Sequence, residues 1–124
     1  MRKILIIDDE PEIVNVLSGF LTKMNFEITR ASGGEEAIKL LRSGIDIDLI
    51  ITDMKMPKVT GFDVLTEKAN LNILVPVIIL TGSIDADKYL KGLGKLGYGP
   101  GDIVCKPLDL FELLAIVKKK LSIG

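Results

Sequence analysis

The chain has 124 residues, 48% of them hydrophobic and 5% aromatic, with a formal net charge of −1; this suits one domain over residues 1–124 with an aliphatic core. The absence of His excludes an imidazole base, a Ser-His-Asp triad and a His-ligated zinc, and the single Cys105 excludes an internal disulfide or a cysteine zinc cluster. The charge argues against a nucleic-acid surface, and no apolar run reaches the ~18 residues of a membrane span.

Met1-Arg2-Lys3 leads into Ile4–Ile7, too short for a signal h-region, so the chain reads as soluble and cytoplasmic. Five short apolar runs alternate with five helical patterns. The runs are Ile4–Ile7, Glu27–Ala31, Leu49–Thr52, Val77–Leu80 and Ile103–Cys105. The first, third and fourth are apolar at nearly every position, as central parallel strands covered on both faces must be; the second alternates and belongs at an edge. The first helix is predicted over Pro11–Met24, with Ile13, Leu17, Phe20, Leu21 and Met24 as its buried stripe. The second opens at Ser32-Gly33-Gly34-Glu35 with capping-box spacing and is closed by Gly44. The third is short, near Gly61 to Ala69. The fourth, Asp85–Leu96, is weakened by Gly92 and Gly94 and followed by an irregular loop. The fifth spans Leu110–Leu121, capped by Asp109, with Lys118, Lys119 and Lys120 at its negative end. This β-α alternation implies right-handed crossovers and a parallel sheet, and five units are too few for a closed eight-stranded barrel. The fold class is therefore α/β, a doubly wound open sheet.

In such a sheet ligands bind beyond the carboxyl ends of the strands. There the first strand ends in Asp8-Asp9-Glu10, the third in Asp53, the fourth in Thr81-Gly82 and the fifth in Lys106-Pro107. Each has an ordinary explanation: Asp9 or Glu10 as a helix cap, Asp53 as a turn former, Thr81 as a cap, Lys106 as a solvated side chain, and Cys105 as a small core residue. Jointly, three aspartates, a hydroxyl and an amine at the same ends of successive strands suggest phosphoryl transfer to a carboxylate. Asp8, Asp9 and Asp53 repel one another without a counterion, and Mg²⁺ suits such oxygen ligands. Lys106 adds a fixed charge and Thr81 a hydroxyl donor for a phosphoryl oxygen. No GxxxxGK[ST] loop is present, and Gly33-Gly34 lacks the full dinucleotide fingerprint and follows the wrong strand.

Taken together, Ile6-Ile7-Asp8-Asp9-Glu10, Asp53-Met54-Lys55-Met56-Pro57 with Gly61, Thr81-Gly82 and Lys106-Pro107 resemble a response regulator receiver domain over essentially the whole chain. The resemblance implies strand order 2-1-3-4-5, flavodoxin-like, and five helices. It implies that Asp53 accepts a phosphoryl group from a sensor kinase phosphohistidine. Asp9 would be the direct Mg²⁺ ligand, with Asp53 and the Lys55 backbone carbonyl, and Asp8 would act mainly through water. Thr81 and Lys106 would contact the phosphoryl group, and the Lys106–Pro107 bond would be cis. Such a domain promotes only its own phosphorylation and slow dephosphorylation. Its partners would be a sensor histidine kinase or phosphotransfer protein, and an output partner or domain on the face of the fourth helix, fifth strand and fifth helix, with no direct nucleic acid or membrane partner.

Two departures fall on that output face: Ile103 replaces the usual aromatic residue, and Gly99-Pro100-Gly101-Asp102 replaces the usual approach to the fifth strand. They shift the expected output to the loop after Thr81 and the fourth helix, with Tyr89, Lys91, Lys95 and Phe111 as candidate responding residues. The competing function is a small Mg²⁺-dependent phosphohydrolase using an aspartyl-phosphate intermediate. Such enzymes usually pair Asp-x-Asp, whereas Lys55 stands two residues after Asp53, and the length leaves no room for a cap. A flavodoxin-like cofactor binder is disfavoured by the absence of Trp and by acids where an anionic phosphate would lie.

Overall fold

Alternate residues of a strand point to opposite faces, so a strand apolar throughout needs helices on both sides. The computed structural model, which describes residues 1–82 and 86–123 and the backbone alone at Ala86, has that arrangement. The elements are β1 (Lys3–Ile7), α1 (Pro11–Lys23), β2 (Glu27–Ala31), α2 (Gly34–Arg42), β3 (Leu49–Asp53), α3 (Gly61–Asn70), β4 (Val77–Gly82), α4 (Ala86–Lys95), a 3₁₀ turn (Pro100–Asp102), β5 (Ile103–Lys106) and α5 (Leu110–Lys120). The five strands pair in parallel in the order β2-β1-β3-β4-β5. Ile4, Ile6, Leu49, Ile51, Ile78 and Leu80 face Leu17 and Leu21 of α1 and Leu113 and Val117 of α5. Leu5, Ile7, Ile50 and Ile79 face Ala37 and Leu41 of α2, Val64 and Leu65 of α3 and Leu93 of α4.

Local chemistry explains most boundaries. Asp109 accepts from the Phe111 and Glu112 backbone N–H groups at 2.9 and 3.1 Å, as its position predicts for a helix cap. Gly44 adopts φ +76° beyond α2, the left-handed conformation that closes a helix. The Lys106–Pro107 peptide is cis.

Three sequence expectations need correction. Met24 is not in the α1 stripe: the helix stops at Lys23, the chain turns at Asn25 with φ +69°, and Val14 is buried instead. Among the described residues no side chain caps α2; Ser32 Oγ donates to Glu36 Oε2 at 3.0 Å. The capping box is at α3, where Thr60 and Asp63 bond reciprocally. Cys105 is exposed, not core, because β5 is an edge strand paired only with β4. The predicted start of the fourth helix, Asp85, lies outside the described residues, as does the loop directly after Gly82.

Candidate functional site

From β1 the chain crosses to β2 on one side, and β3 pairs on the other, so the carboxyl ends of β1 and β3 flank the crevice where the strand order reverses. Asp8 follows β1 there and Asp53 ends β3. In the sheet register Asp53 lies opposite Leu80, and Thr81 and Gly82 lie opposite Cys105 and Lys106. The topology thus gathers residues far apart in sequence.

Asp8 and Asp53 are buried, at 1% and 4% exposure. Carboxylate oxygens of Asp8, Glu10 and Asp53 all lie within 4.8 Å of one another. Lys106 Nζ reaches all three, at 3.4 Å from Asp53 Oδ2, 3.7 Å from Glu10 Oε1 and 3.9 Å from Asp8 Oδ2. Only the contact to Asp53 is close enough for a hydrogen bond. Among the described residues Lys106 is the one cation within 4.0 Å of this cluster, which leaves three carboxylates facing one positive charge.

The electrostatic consequences are specific. Burial, then the neighbouring Asp53 charge, pushes the Asp8 pKa up to about 6, against the opposing pull of the Glu10 N–H and Lys106. Burial also raises the Asp53 pKa, opposed by Lys106 and by the Lys55 and Met54 backbone N–H groups. Asp8 Oδ1 accepts the Glu10 N–H at 2.9 Å, whereas the buried Asp8 Oδ2 has no hydrogen-bond partner among the described residues. An unsatisfied buried acceptor costs about 1–3 kcal/mol. An all-oxygen donor set of two buried carboxylates and the exposed Glu10, with excess negative charge and an orphaned oxygen, fits a hard divalent cation such as Mg²⁺.

The structure brings together three of the residues singled out in the sequence, Asp8, Asp53 and Lys106. Thr81 is buried one residue beyond the Asp53 level, its Oγ1 3.5 Å from the Gly82 carbonyl oxygen. Lys55 has an exposed side chain and presents its backbone to Asp53. Asp9 is not in the three-carboxylate cluster; it borders a cavity of about 420 Å³ between the start of α2 and Pro57-Lys58. Glu10 takes that third place. It occupies the N-cap position of α1 without a side-chain cap bond, so its carboxylate is available to Lys106. Its membership of the Asp8-Asp9-Glu10 run was the available sequence signal, masked by the capping explanation.

A family model described as "Response regulator receiver domain" matches residues 4–118. Response regulator GtcR of Aneurinibacillus migulanus is 37% identical over 121 residues, covering 97% of this chain and 48% of that protein. The uncharacterized transcriptional regulatory protein YcbL of Bacillus subtilis is 35% identical over 117 residues, covering 92% and 48%. The chain therefore spans about half the length of these curated relatives. Among solved structures, a response regulator receiver domain protein from Clostridium thermocellum superposes with a TM-score of 0.85 at 32% identity, covering 98% of this chain and 95% of that one. The response regulator TrrA from Thermotoga maritima, in complex with Mg²⁺-BeF, superposes with a TM-score of 0.81 at 33% identity, covering 97% and 99%.

Proposed function

The chain belongs to the response regulator receiver domain family, a signalling module of two-component systems, and from that premise we propose that Asp53 accepts a phosphoryl group from the phosphohistidine of a sensor histidine kinase or phosphotransfer protein. The observation that carries this reading is the Lys106 ammonium 3.4 Å from Asp53 Oδ2, beside the orphaned oxygen of Asp8.

An Asp53 carboxylate oxygen attacks the phosphorus, the P–N bond to the donor imidazole breaks, and the imidazole leaves with the bonding pair. Lys106 holds Asp53 in place through their hydrogen bond and offers fixed positive charge to the phosphoryl oxygens. Thr81, on the strand between those of Asp53 and Lys106, supplies a hydroxyl donor to one of those oxygens. Asp8 and Asp53, with Asp9 and the Lys55 carbonyl carried over from the family motif, would hold Mg²⁺. When bound, the cation supplies charge neutralisation for the clustered acids and the incoming phosphoryl oxygens. Slow dephosphorylation follows when water attacks the phosphorus and the bond to Asp53 breaks, releasing inorganic phosphate. The Mg²⁺-BeF complex of TrrA, related in sequence and fold, supports the combined role of metal and phosphoryl mimic.

We further propose that the output leaves through the face of α4, β5 and α5 toward a partner or an attached domain. Incubation with acetyl phosphate and Mg²⁺ tests the chemical reading. One base-labile phosphoryl group per chain is expected, slowly lost and absent with EDTA. Rapid turnover of many donor equivalents would instead identify a phosphohydrolase.

A further inference from the structure

The Gly33-Gly34 pair forms no nucleotide fingerprint, and among the described residues no side chain caps the helix it begins. Its two members nevertheless differ sharply. A Cβ on Gly34 would stand 2.4 Å from the Val59 carbonyl oxygen, 2.6 Å from Val59 Cγ1 and 2.8 Å from Val59 Cβ, whereas a Cβ on Gly33 would meet nothing within 4 Å. The Val59 backbone thus fills the space that a side chain at position 34 would need.

Val59 lies in the segment joining β3 to α3, which starts at Asp53 and has little slack. The Val59 N–H closes onto the Pro57 carbonyl at 2.7 Å, with Lys58 between them at φ +63°. Met56 is buried, and the Gly61 N–H bonds the Met54 carbonyl at 3.0 Å. Gly61 itself packs so closely that a Cβ there would stand 2.2 Å from the Asp53 carbonyl oxygen. A backbone pushed at Val59 therefore passes its displacement toward Lys55, because side-chain rotation cannot move a carbonyl out of the way.

We infer that Gly34 is a positioning residue: by letting the start of α2 touch the Val59 backbone, it sets where the Lys55 backbone lies against Asp53, and through it the affinity of the acid cluster for Mg²⁺. The Mg²⁺ clause rests on the reading given under Proposed function; the loop placement does not.

The test compares Gly34→Ala and Gly33→Ala in ¹⁵N-labelled protein, reading backbone amide shifts without metal and Mg²⁺ affinity by calorimetric titration. Gly34→Ala is expected to move the amides of residues 54–59 and to weaken Mg²⁺ binding about tenfold or more, the scale seen when the support of a metal ligand is disturbed. Gly33→Ala is expected to do neither. Unmoved 54–59 amides in Gly34→Ala, or equal movement in Gly33→Ala, would overturn the positioning role. Moved amides with unchanged Mg²⁺ affinity would overturn its link to the metal. If the unaltered protein binds no Mg²⁺, the metal reading falls with that clause, and the amides alone decide the positioning role. Should Gly34→Ala not fold, Val59→Ala removes side-chain bulk from the same contact. It is expected to speed amide exchange across 54–59, and unchanged exchange there would contradict the inference.

Discussion

Asp8, directly after β1, and Asp53, at the end of neighbouring β3, are buried carboxylates, and among the described residues the inner oxygen of Asp8 receives no hydrogen bond. Stability set aside to assemble a site is a common feature of functional centres, and here it has a direct thermodynamic signature. A ligand that binds only the native state stabilises it by RT ln(1 + [L]/Kd), about 2.7 kcal/mol at 100 times Kd. Saturating Mg²⁺ is expected to raise the melting temperature. Asp8→Asn is expected to lose most of that increment while being no less stable than the unaltered protein in EDTA, because it removes a like charge. Thermal melts with and without Mg²⁺ measure both, and an undiminished Mg²⁺ shift in the variant would place the ion elsewhere.

Lys120, at the end of α5, pairs with Asp102, which also accepts the Gly99 N–H at 2.8 Å. Burial acts to raise the Asp102 pKa, but Lys120 and the Gly99 N–H outweigh it and hold the carboxyl below its ordinary 3.8. A carboxyl depressed in the folded state contributes stability above its unfolded pKa and loses it as pH falls through the folded value. Asp102→Asn is expected to cost roughly 0.5–1 kcal/mol near pH 7, the upper range for partly exposed pairs. Urea midpoints at neutral pH and well below the ordinary carboxyl pKa check this: the gap between the two proteins should close in acid. A gap independent of pH would remove the ion pair as its cause.

Asp109 is the cap of α5, with both its bonds going to the first turn. Asp109→Ala is expected to destabilise the protein by about 1 kcal/mol. Chemical denaturation checks the value, and an effect near zero would mean that packing of Leu113 and Val117 holds the helix without the cap.

The strands were legible in the sequence because both faces are covered, leaving runs such as Ile4–Ile7 and Val77–Leu80 with no polar alternation to confuse. Asp8, Asp53 and Lys106 were legible because parallel topology sends successive strand ends to one edge. The misread positions depend on contacts distant in sequence or on a local turn. Position 34 carries Gly because Val59 approaches it, which no local capping pattern encodes. Met24 fits the helical period but follows the last residue of α1, just before the turn that Asn25 makes. Cys105 has a core-like composition on a strand with one open edge. Glu10, read from sequence only as a helix cap, joins Asp8 and Asp53 because the turn after β1 brings its side chain to Lys106.

Ile103 is half-buried against the side of the sheet covered by α2, α3 and α4, and it brings no ring or hydroxyl that could exchange positions on switching. α4 carries Gly92 and Gly94, poor helix formers, and among its described side chains Leu93 is the fully buried anchor. Tyr89 is half-buried on it, and Lys91, Lys95 and Phe111 of α5 are exposed. Amide exchange with and without beryllofluoride is expected to change most between Gly82 and Gly101, the segment of lowest local helix propensity. A response centred on Ile103 and its strand neighbours, with α4 silent, would restore the usual switch.

The central claim is that Asp53 is the phosphoacceptor, and intact-mass measurement after incubation with acetyl phosphate and Mg²⁺ tests it most directly. The unaltered chain is expected to gain one base-labile phosphoryl group, and Asp53→Asn, with an unchanged circular dichroism spectrum, is expected to gain none. Stoichiometric labelling of Asp53→Asn at another residue would contradict the account.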